Sequence, residues 1–396
     1  MNVEHFFPDN IKVALQKTPP GAWMAKLPEE CIRLSSGYPE PALVPAEEIK
    51  KAADLLIEEE QDLPLHYLGS PRLAGLKKLI QARLEKRGMK VQEDEVLITA
   101  GACQAIDLIA RTLLDEKAVV AVESPTYMEA LEIFQNYTNQ IITIPIDEHG
   151  LQTDVFAAQL AERKQSGLTL PNFLYTIPTF QNPTGTTLVP ARRKHLLELA
   201  DEFDFLILED DAYGELSFNE SPQPLKAMDT NGRVFYVGSL SKVVAPGMRI
   251  GWIAGIAQFI SAFEWFKKDL DHPFAQSTMA AYLENVDFEK RLASLQKAYR
   301  KKCYTLIHSL EQYFPEPITW YVPEGGYFVW VKIPGVDTSH MLEQALSMGV
   351  SYVPGKYFFF NQQEGTEFLR LSFSYADEEE IVKGIQKLGQ LFSSIM

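Results

Sequence analysis

The sequence predicts an α/β fold in which a mainly parallel, seven-stranded sheet lies between helices and is followed by a smaller α+β domain. Two observations carry this. Short apolar, β-branched runs recur through the middle of the chain, and segments of helical period separate them. After about residue 273 that alternation gives way to one long helical stretch and then to clustered strands.

The strands expected in the first part are 95–100, 118–123, 140–145, 173–178, 205–210, 234–240 and 249–255. Runs such as Val119-Val120-Ala121-Val122 and Phe205-Leu206-Ile207-Leu208 are apolar at every position, as in a strand covered on both faces. Amphipathic segments such as 103–114 and 190–203 lie between them, and this alternation feeds a parallel sheet. Farther on, 287–313 places Leu292, Leu295, Tyr299, Leu306 and Leu310 near one helical face. Strands at 326–333, 350–354 and 368–375 and a helix at 377–392 complete the second part. Residues 1–45, with six prolines before Pro45 and no strong period, are expected to join the small domain. The expected division is therefore 1–45, a large domain at 46–285 and a small one at 286–396, because 396 residues exceed what one core usually supports.

Lys and Arg number 37 against 53 Asp and Glu, a formal charge of −16, so charge alone will not hold nucleic acid or an anionic membrane. Cys31, Cys103 and Cys303 are odd in number and far apart, which fits neither a zinc pair nor a disulfide framework. No metal site is expected, and a reducing, cytoplasmic location is. The N-terminus lacks a basic stretch followed by an apolar run, and no apolar stretch reaches membrane-spanning length.

Two phosphate motifs fail. In Gly349-Val350-Ser351-Tyr352-Val353-Pro354-Gly355-Lys356 the glycines are one residue too far apart for a nucleotide phosphate loop. Tyr357 also stands where Ser or Thr is needed. No Gly-x-Gly-x-x-Gly opens a helix after a strand. A stronger signal is Ser239-Leu240-Ser241-Lys242 at a strand end, followed by Ala245-Pro246-Gly247-Met248-Arg249. Hydroxyls and a guanidinium suit a phosphate, and a lysine beside it suits a Schiff base with an aldehyde on the same molecule.

Further motifs stand in order along the chain: Thr99-Ala100-Gly101-Ala102-Cys103-Gln104, Glu123-Ser124-Pro125-Thr126-Tyr127, Gln181-Asn182-Pro183-Thr184-Gly185, Glu209-Asp210-Asp211-Ala212-Tyr213 and Arg370-Leu371-Ser372-Phe373-Ser374. Together with the lysine motif they resemble the class I/II aminotransferases, the fold-type I enzymes that carry pyridoxal 5'-phosphate (PLP). The versions here look closest to the subgroup of 2-aminoadipate and kynurenine/aromatic aminotransferases.

The resemblance implies the following roles. Lys242 holds the cofactor aldehyde as an aldimine and shuttles a proton. Asp210 pairs with the ring nitrogen, and Tyr213 and Asn182 bond the ring oxygen. Tyr127 stacks on the ring. Gly101, Ala102, Cys103, Gln104, Ser239, Ser241 and Arg249 cradle the phosphate at a helix start. Arg370 grips the substrate carboxylate, with Gly37 and Asn182 beside it. Tyr67 resembles the tyrosine that reaches the phosphate from a neighbouring subunit, which implies a homodimer. Asp211 is expected in a loop or capping role. Trp23, Tyr38 and Phe274 are candidate pocket walls, with core packing as the alternative.

The implied activity moves an α-amino group from an L-amino acid to a 2-oxo acid by a two-half-reaction, ping-pong route. A lyase or decarboxylase on the same scaffold is the alternative. A third reading is an effector-binding domain like those of certain transcription factors; it is disfavoured by the acidic composition and by the lack of room for a DNA-binding module before the aminotransferase-like segment.

Overall fold

Each apolar run expected as a strand in the first part finds partners in a single sheet. The computed structural model describes residues 3–7, 27–28, 30–67, 69–268 and 272–395. In chain order the strands are β1 (Ile32–Arg33), β2 (Val96–Thr99), β3 (Val120–Ser124), β4 (Ile141–Asp147) and β5 (Gly150–Leu151). Then come β6 (Phe173–Thr176), β7 (Leu206–Asp210), β8 (Val234–Ser239), β9 (Gly251–Ala254) and β10 (Thr319–Trp320). Last are β11 (Phe328–Lys332), β12 (Val350–Ser351), β13 (Val353–Pro354) and β14 (Phe368–Ser372).

The main sheet has the order β2-β9-β8-β7-β6-β3-β4-β5. Strands β8, β7, β6, β3 and β4 run parallel, and β9 runs antiparallel between β2 and β8. The sheet has eight strands where seven were expected. The extra one, β5, is two residues long and folds back on β4 through a turn in which Asp147 accepts from the His149 backbone. A pair of residues is too short to leave a periodic signal.

Alternate residues along the strands serve opposite faces. Tyr175 and Leu208 pack with Ile106, Ile109 and Phe263 on one side, and Leu174 and Ile207 pack with Phe156, Leu196 and Leu199 on the other. Complete burial on both faces explains the unbroken apolar runs. From β3 the chain moves one way to β4, and the later strands β6, β7 and β8 build the other way. The carboxyl ends flanking this reversal are where open α/β sheets leave a crevice.

In the second part, β10-β11-β14-β13 form an antiparallel sheet, and the helices Phe288–Tyr313 and Glu378–Ser393 share a core with it. The strand expected at 350–354 is divided: β12 pairs with β1 and β13 pairs with β14, on either side of Tyr352. One stretch thus serves two sheets, which a single apolar run does not reveal.

Gly251, which opens β9, lies under the turn at Gly101. A Cβ there would fall 2.6 Å from the Gly101 carbonyl carbon and 2.9 Å from the Ala102 nitrogen, both backbone atoms. Gly251→Ala is therefore expected to destabilise the protein by about 1–3 kcal/mol and to lower its thermal midpoint by several degrees. An unchanged midpoint in calorimetry would show that the turn yields freely.

Candidate active site

Strand β7 carries Asp210 to its carboxyl end and buries it, 5% exposed. The Tyr175 hydroxyl on neighbouring β6 donates to Asp210 Oδ2 at 2.8 Å, whereas Oδ1 is buried with no hydrogen-bond partner. Burial pushes the carboxyl up to about 6, against the pull of Tyr175 and Ala212 and with a further push from Asp211.

Lys242 follows the end of β8. The Ser239 hydroxyl bonds that of Ser241 at 2.9 Å and accepts from the Ser241 backbone at 3.0 Å, which fixes the turn delivering the lysine. Lys242 Nζ donates to the Gly37 carbonyl at 2.9 Å and stands 5.7 Å and 6.0 Å from the ring centres of Tyr213 and Tyr327. Burial, aided by the charge of Arg370, lowers its pKa to about 8, while Asp210 pulls the other way. Tyr213 packs edge-on to Tyr327 and Phe328.

Arg370, in β14, crosses from the small sheet into the same space. Its Nη1 donates to Asn182 Oδ1 at 2.8 Å and its Nη2 to the Ser35 carbonyl at 3.0 Å; its guanidinium lies 4.1 Å from the Phe328 ring centre. Its Nε is buried without a partner, and burial lowers its pKa to about 10. A buried guanidinium with an unused donor is prepared for an anion.

Beyond β2, Gly101 has φ 88° and caps the helix Ala102–Leu113, so the first amides of that helix open into the site. Arg249 stands over this turn, its Nη2 3.0 Å from the Ala100 carbonyl, and a side chain on Gly101 would meet the guanidinium. Gln104 also braces the turn from the helix, its Oε1 accepting from the Ala100 backbone at 2.7 Å. Cys103 Sγ lies 3.8 Å from the Tyr127 hydroxyl and 3.3 Å from Glu129, and burial pushes this thiol up to about 11.

The structure therefore brings together Gly37, Lys242, Asp210, Tyr213, Asn182, Arg370, the Gly101 turn, Tyr127, Ser239, Ser241 and Arg249. Tyr67 is fully exposed. Tyr38 is exposed at the side chain and uses its carbonyl to accept from Ser374. Phe274 is half-buried in the helix Pro273–Asn285, and Trp23 lies outside the described residues.

Asp211 lies in the loop after β7, as expected, but it does more than fill a turn. It is buried, paired with Arg87 at 2.5 Å and bonded by the Tyr236 hydroxyl at 2.9 Å. Sequence reasoning also missed Tyr175 and the brace under the Asn182 loop. There, buried Glu123 accepts from Thr176 at 2.5 Å, from the Ile177 backbone at 3.1 Å and from Gln181 at 3.1 Å. No local pattern marks these contacts, since each joins segments far apart in sequence.

The open positions fit PLP. The helix start, Ser239, Ser241 and Arg249 suit a phosphate, Asp210 Oδ1 suits a ring N–H, and the Lys242 amine suits an aldehyde. The family model described as "Aminotransferase class I and II" matches residues 29–388. The aromatic-amino-acid aminotransferase 1 of Thermococcus litoralis is 37% identical over 93% of this chain and 89% of its own length. The 2-aminoadipate transaminase of Thermus thermophilus is 33% identical over 92% and 91%. The solved structure of a Pyrococcus horikoshii kynurenine aminotransferase, in complex with PMP, superposes with a TM-score of 0.91 at 36% identity, covering 100% of this chain and 98% of that one.

The buried charge of Asp210 sets a stability prediction for the protein without cofactor. Its folded pKa, about 6, lies above the usual carboxylate value, so the cost is full above pH 6 and fades as pH falls toward 4. Asp210→Asn keeps an acceptor for Tyr175 and is expected to raise stability at pH 8 by at most about 2–3 kcal/mol, with the gain shrinking toward pH 4. Denaturant unfolding at the two pH values measures this; a less stable variant at pH 8 would contradict it.

Proposed function

Because this chain belongs to the family of class I and II aminotransferases, we propose that the cluster around Lys242 is its catalytic centre and that an aromatic L-amino acid is its donor. The enzyme is a PLP-dependent aminotransferase, which moves an amino group to a 2-oxo acid in two half-reactions in one pocket. The observation that carries the assignment is the convergence of Lys242 Nζ, the unpartnered Asp210 Oδ1 and the unpartnered Arg370 Nε at one sheet edge.

When bound, PLP supplies an aldehyde for a primary amine and an electron-withdrawing ring. The chain's residues do the rest. The Gly101 turn, Ser239, Ser241 and Arg249 would hold the phosphate. Asp210 would hold the ring nitrogen, Tyr213 and Asn182 would serve the ring oxygen, and Tyr127 would pack with the ring. Arg370 takes the α-carboxylate and so orients the substrate Cα–H toward Lys242. Lys242 Nζ, with a pKa of about 8, spends enough time unprotonated near neutral pH to remove that proton. Gly37, tied to the lysine through its carbonyl, lines the approach from the N-terminal side.

An aromatic donor is supported by the rings about Arg370, Phe328 and Phe358 among them, and by the substrates named for two of the relatives. A homodimer is supported by Tyr67, fully exposed beside exposed Leu63 and Leu65, where a partner subunit would use it. A cytoplasmic location is supported by three free cysteines, and no helix among the described residues is long and apolar enough to cross a membrane. We divide the chain into a large domain at 46–285 and a small one at 286–396 that 1–45 joins, in keeping with the pairing of β1 with β12.

Purified protein loaded with PLP should show a visible band that changes when aromatic L-amino acids are added without an oxo acid. Lys242→Ala should lose the band's normal form and lower turnover at least about a hundredfold. A band that persists while carbon dioxide, pyruvate or ammonia appears would indicate a decarboxylase or lyase. A response to acidic donors alone would overturn the aromatic assignment.

A further inference from the structure

The carboxylate that serves the ring nitrogen has two oxygens, and the structure treats them differently. Oδ2 receives the Tyr175 hydroxyl at 2.8 Å, and Oδ1 receives nothing. We propose that Tyr175 is a positioning residue for the reaction: by fixing Asp210 Oδ2 it dedicates Oδ1 to the cofactor's ring nitrogen and keeps the carboxylate ionised. This rests on the reading of the site as a PLP centre.

The geometry leaves Tyr175 few other tasks. Its ring is fully buried on the β6 face shared with Ile106, Phe173 and Leu208, and it packs edge-on to Phe134 with centres 5.3 Å apart. Its hydroxyl crosses to β7, the next strand, where Tyr175 and Leu208 are in register. An ionised carboxylate with no donor at either oxygen would be costly in that setting. Of the two influences that favour the ionised state through hydrogen bonding, Tyr175 outweighs the Ala212 amide.

Other titratable groups face the same carboxylate. Asp211 adjoins it and Glu123 approaches from β3, both opposing its charge, while Lys242 favours it. Tyr213, Tyr127 and Cys103 also surround the site, with pKa values pushed upward by burial, so they stay neutral near pH 7. Glu123 is held by Thr176, Ile177 and Gln181 and has no bond to Tyr175. A change at Tyr175 can therefore be separated from Glu123 by repeating it without an ionisable group at position 210.

The test compares wild type, Tyr175→Phe, Asp210→Asn and the double variant in their affinity for PLP between pH 5 and 9. Phenylalanine retains the buried ring, so the fold should persist. In Tyr175→Phe the acid limb of the affinity profile should move up by about one pH unit. Turnover should fall on the order of tenfold, with KM within about twofold. Once Asp210→Asn is in place, adding Tyr175→Phe should no longer move the limb. A loss of affinity equal at every pH, or equal in the Asp210→Asn background, would reduce Tyr175 to packing and overturn the inference. A wild type that takes no PLP overturns the functional reading and this inference together. A wild type that binds it, with Tyr175→Phe indistinguishable, overturns this inference alone.

Discussion

A carboxylate held in an apolar sheet edge is the constraint on which this structure turns. Asp210 ends a strand whose preceding residues are buried on both faces, so its charge has little water to rely on. The surroundings answer with one tyrosine hydroxyl, a nearby amide and the amine of Lys242, and that leaves the pKa near 6 rather than lower. Such incomplete compensation is costly without a cofactor and useful to a site that must meet a protonated ring.

The same pattern recurs across the pocket. Lys242 and Arg370 are cations that share a buried space, and each has its pKa lowered mainly by burial. For the lysine this yields an amine available near neutral pH; for the arginine, charge persists and one donor remains unused. The neighbouring acid Asp211 also keeps one buried oxygen without a partner, Oδ1, but its Oδ2 is held by the Arg87 guanidinium as well as by a tyrosine hydroxyl, that of Tyr236. Adjacent residues in sequence, Asp210 and Asp211, thus divide into a functional group and an anchor. Asp210 meets Tyr175 of β6, and Asp211, just past the strand end, meets Tyr236 of β8.

Placement depends on three parts of the chain meeting. The strands β2, β6, β7 and β8 end at one edge of the main sheet, and the backbone fit between Gly251 and the Gly101 turn sets the anion-binding helix start there. Arg370 arrives from the small sheet, and Ser35 and Gly37 arrive from the N-terminal stretch, each bonded to a residue far away in sequence. Asn182, braced from below by Glu123 and Gln181, joins these parts through its bond to Arg370.

By itself the sequence determined the element types and the reactive residues. Apolar runs reported strands buried on both faces, helical periods reported the helices between them, and Lys242, Asp210, Asn182, Tyr213, Arg249 and Arg370 lay in short motifs whose chemistry is local. Only the tertiary structure decided the two-residue strand β5, the division of 350–354 between two sheets, the turn-bracing part of Gln104 and the buried pairing of Asp211. It alone decided that Tyr175 serves Asp210, too. Periodicity records which face of an element is buried, but not the partner it meets. Hydrogen bonds between strands, and the pKa shifts that burial produces, exist only once distant segments exclude water from the same space.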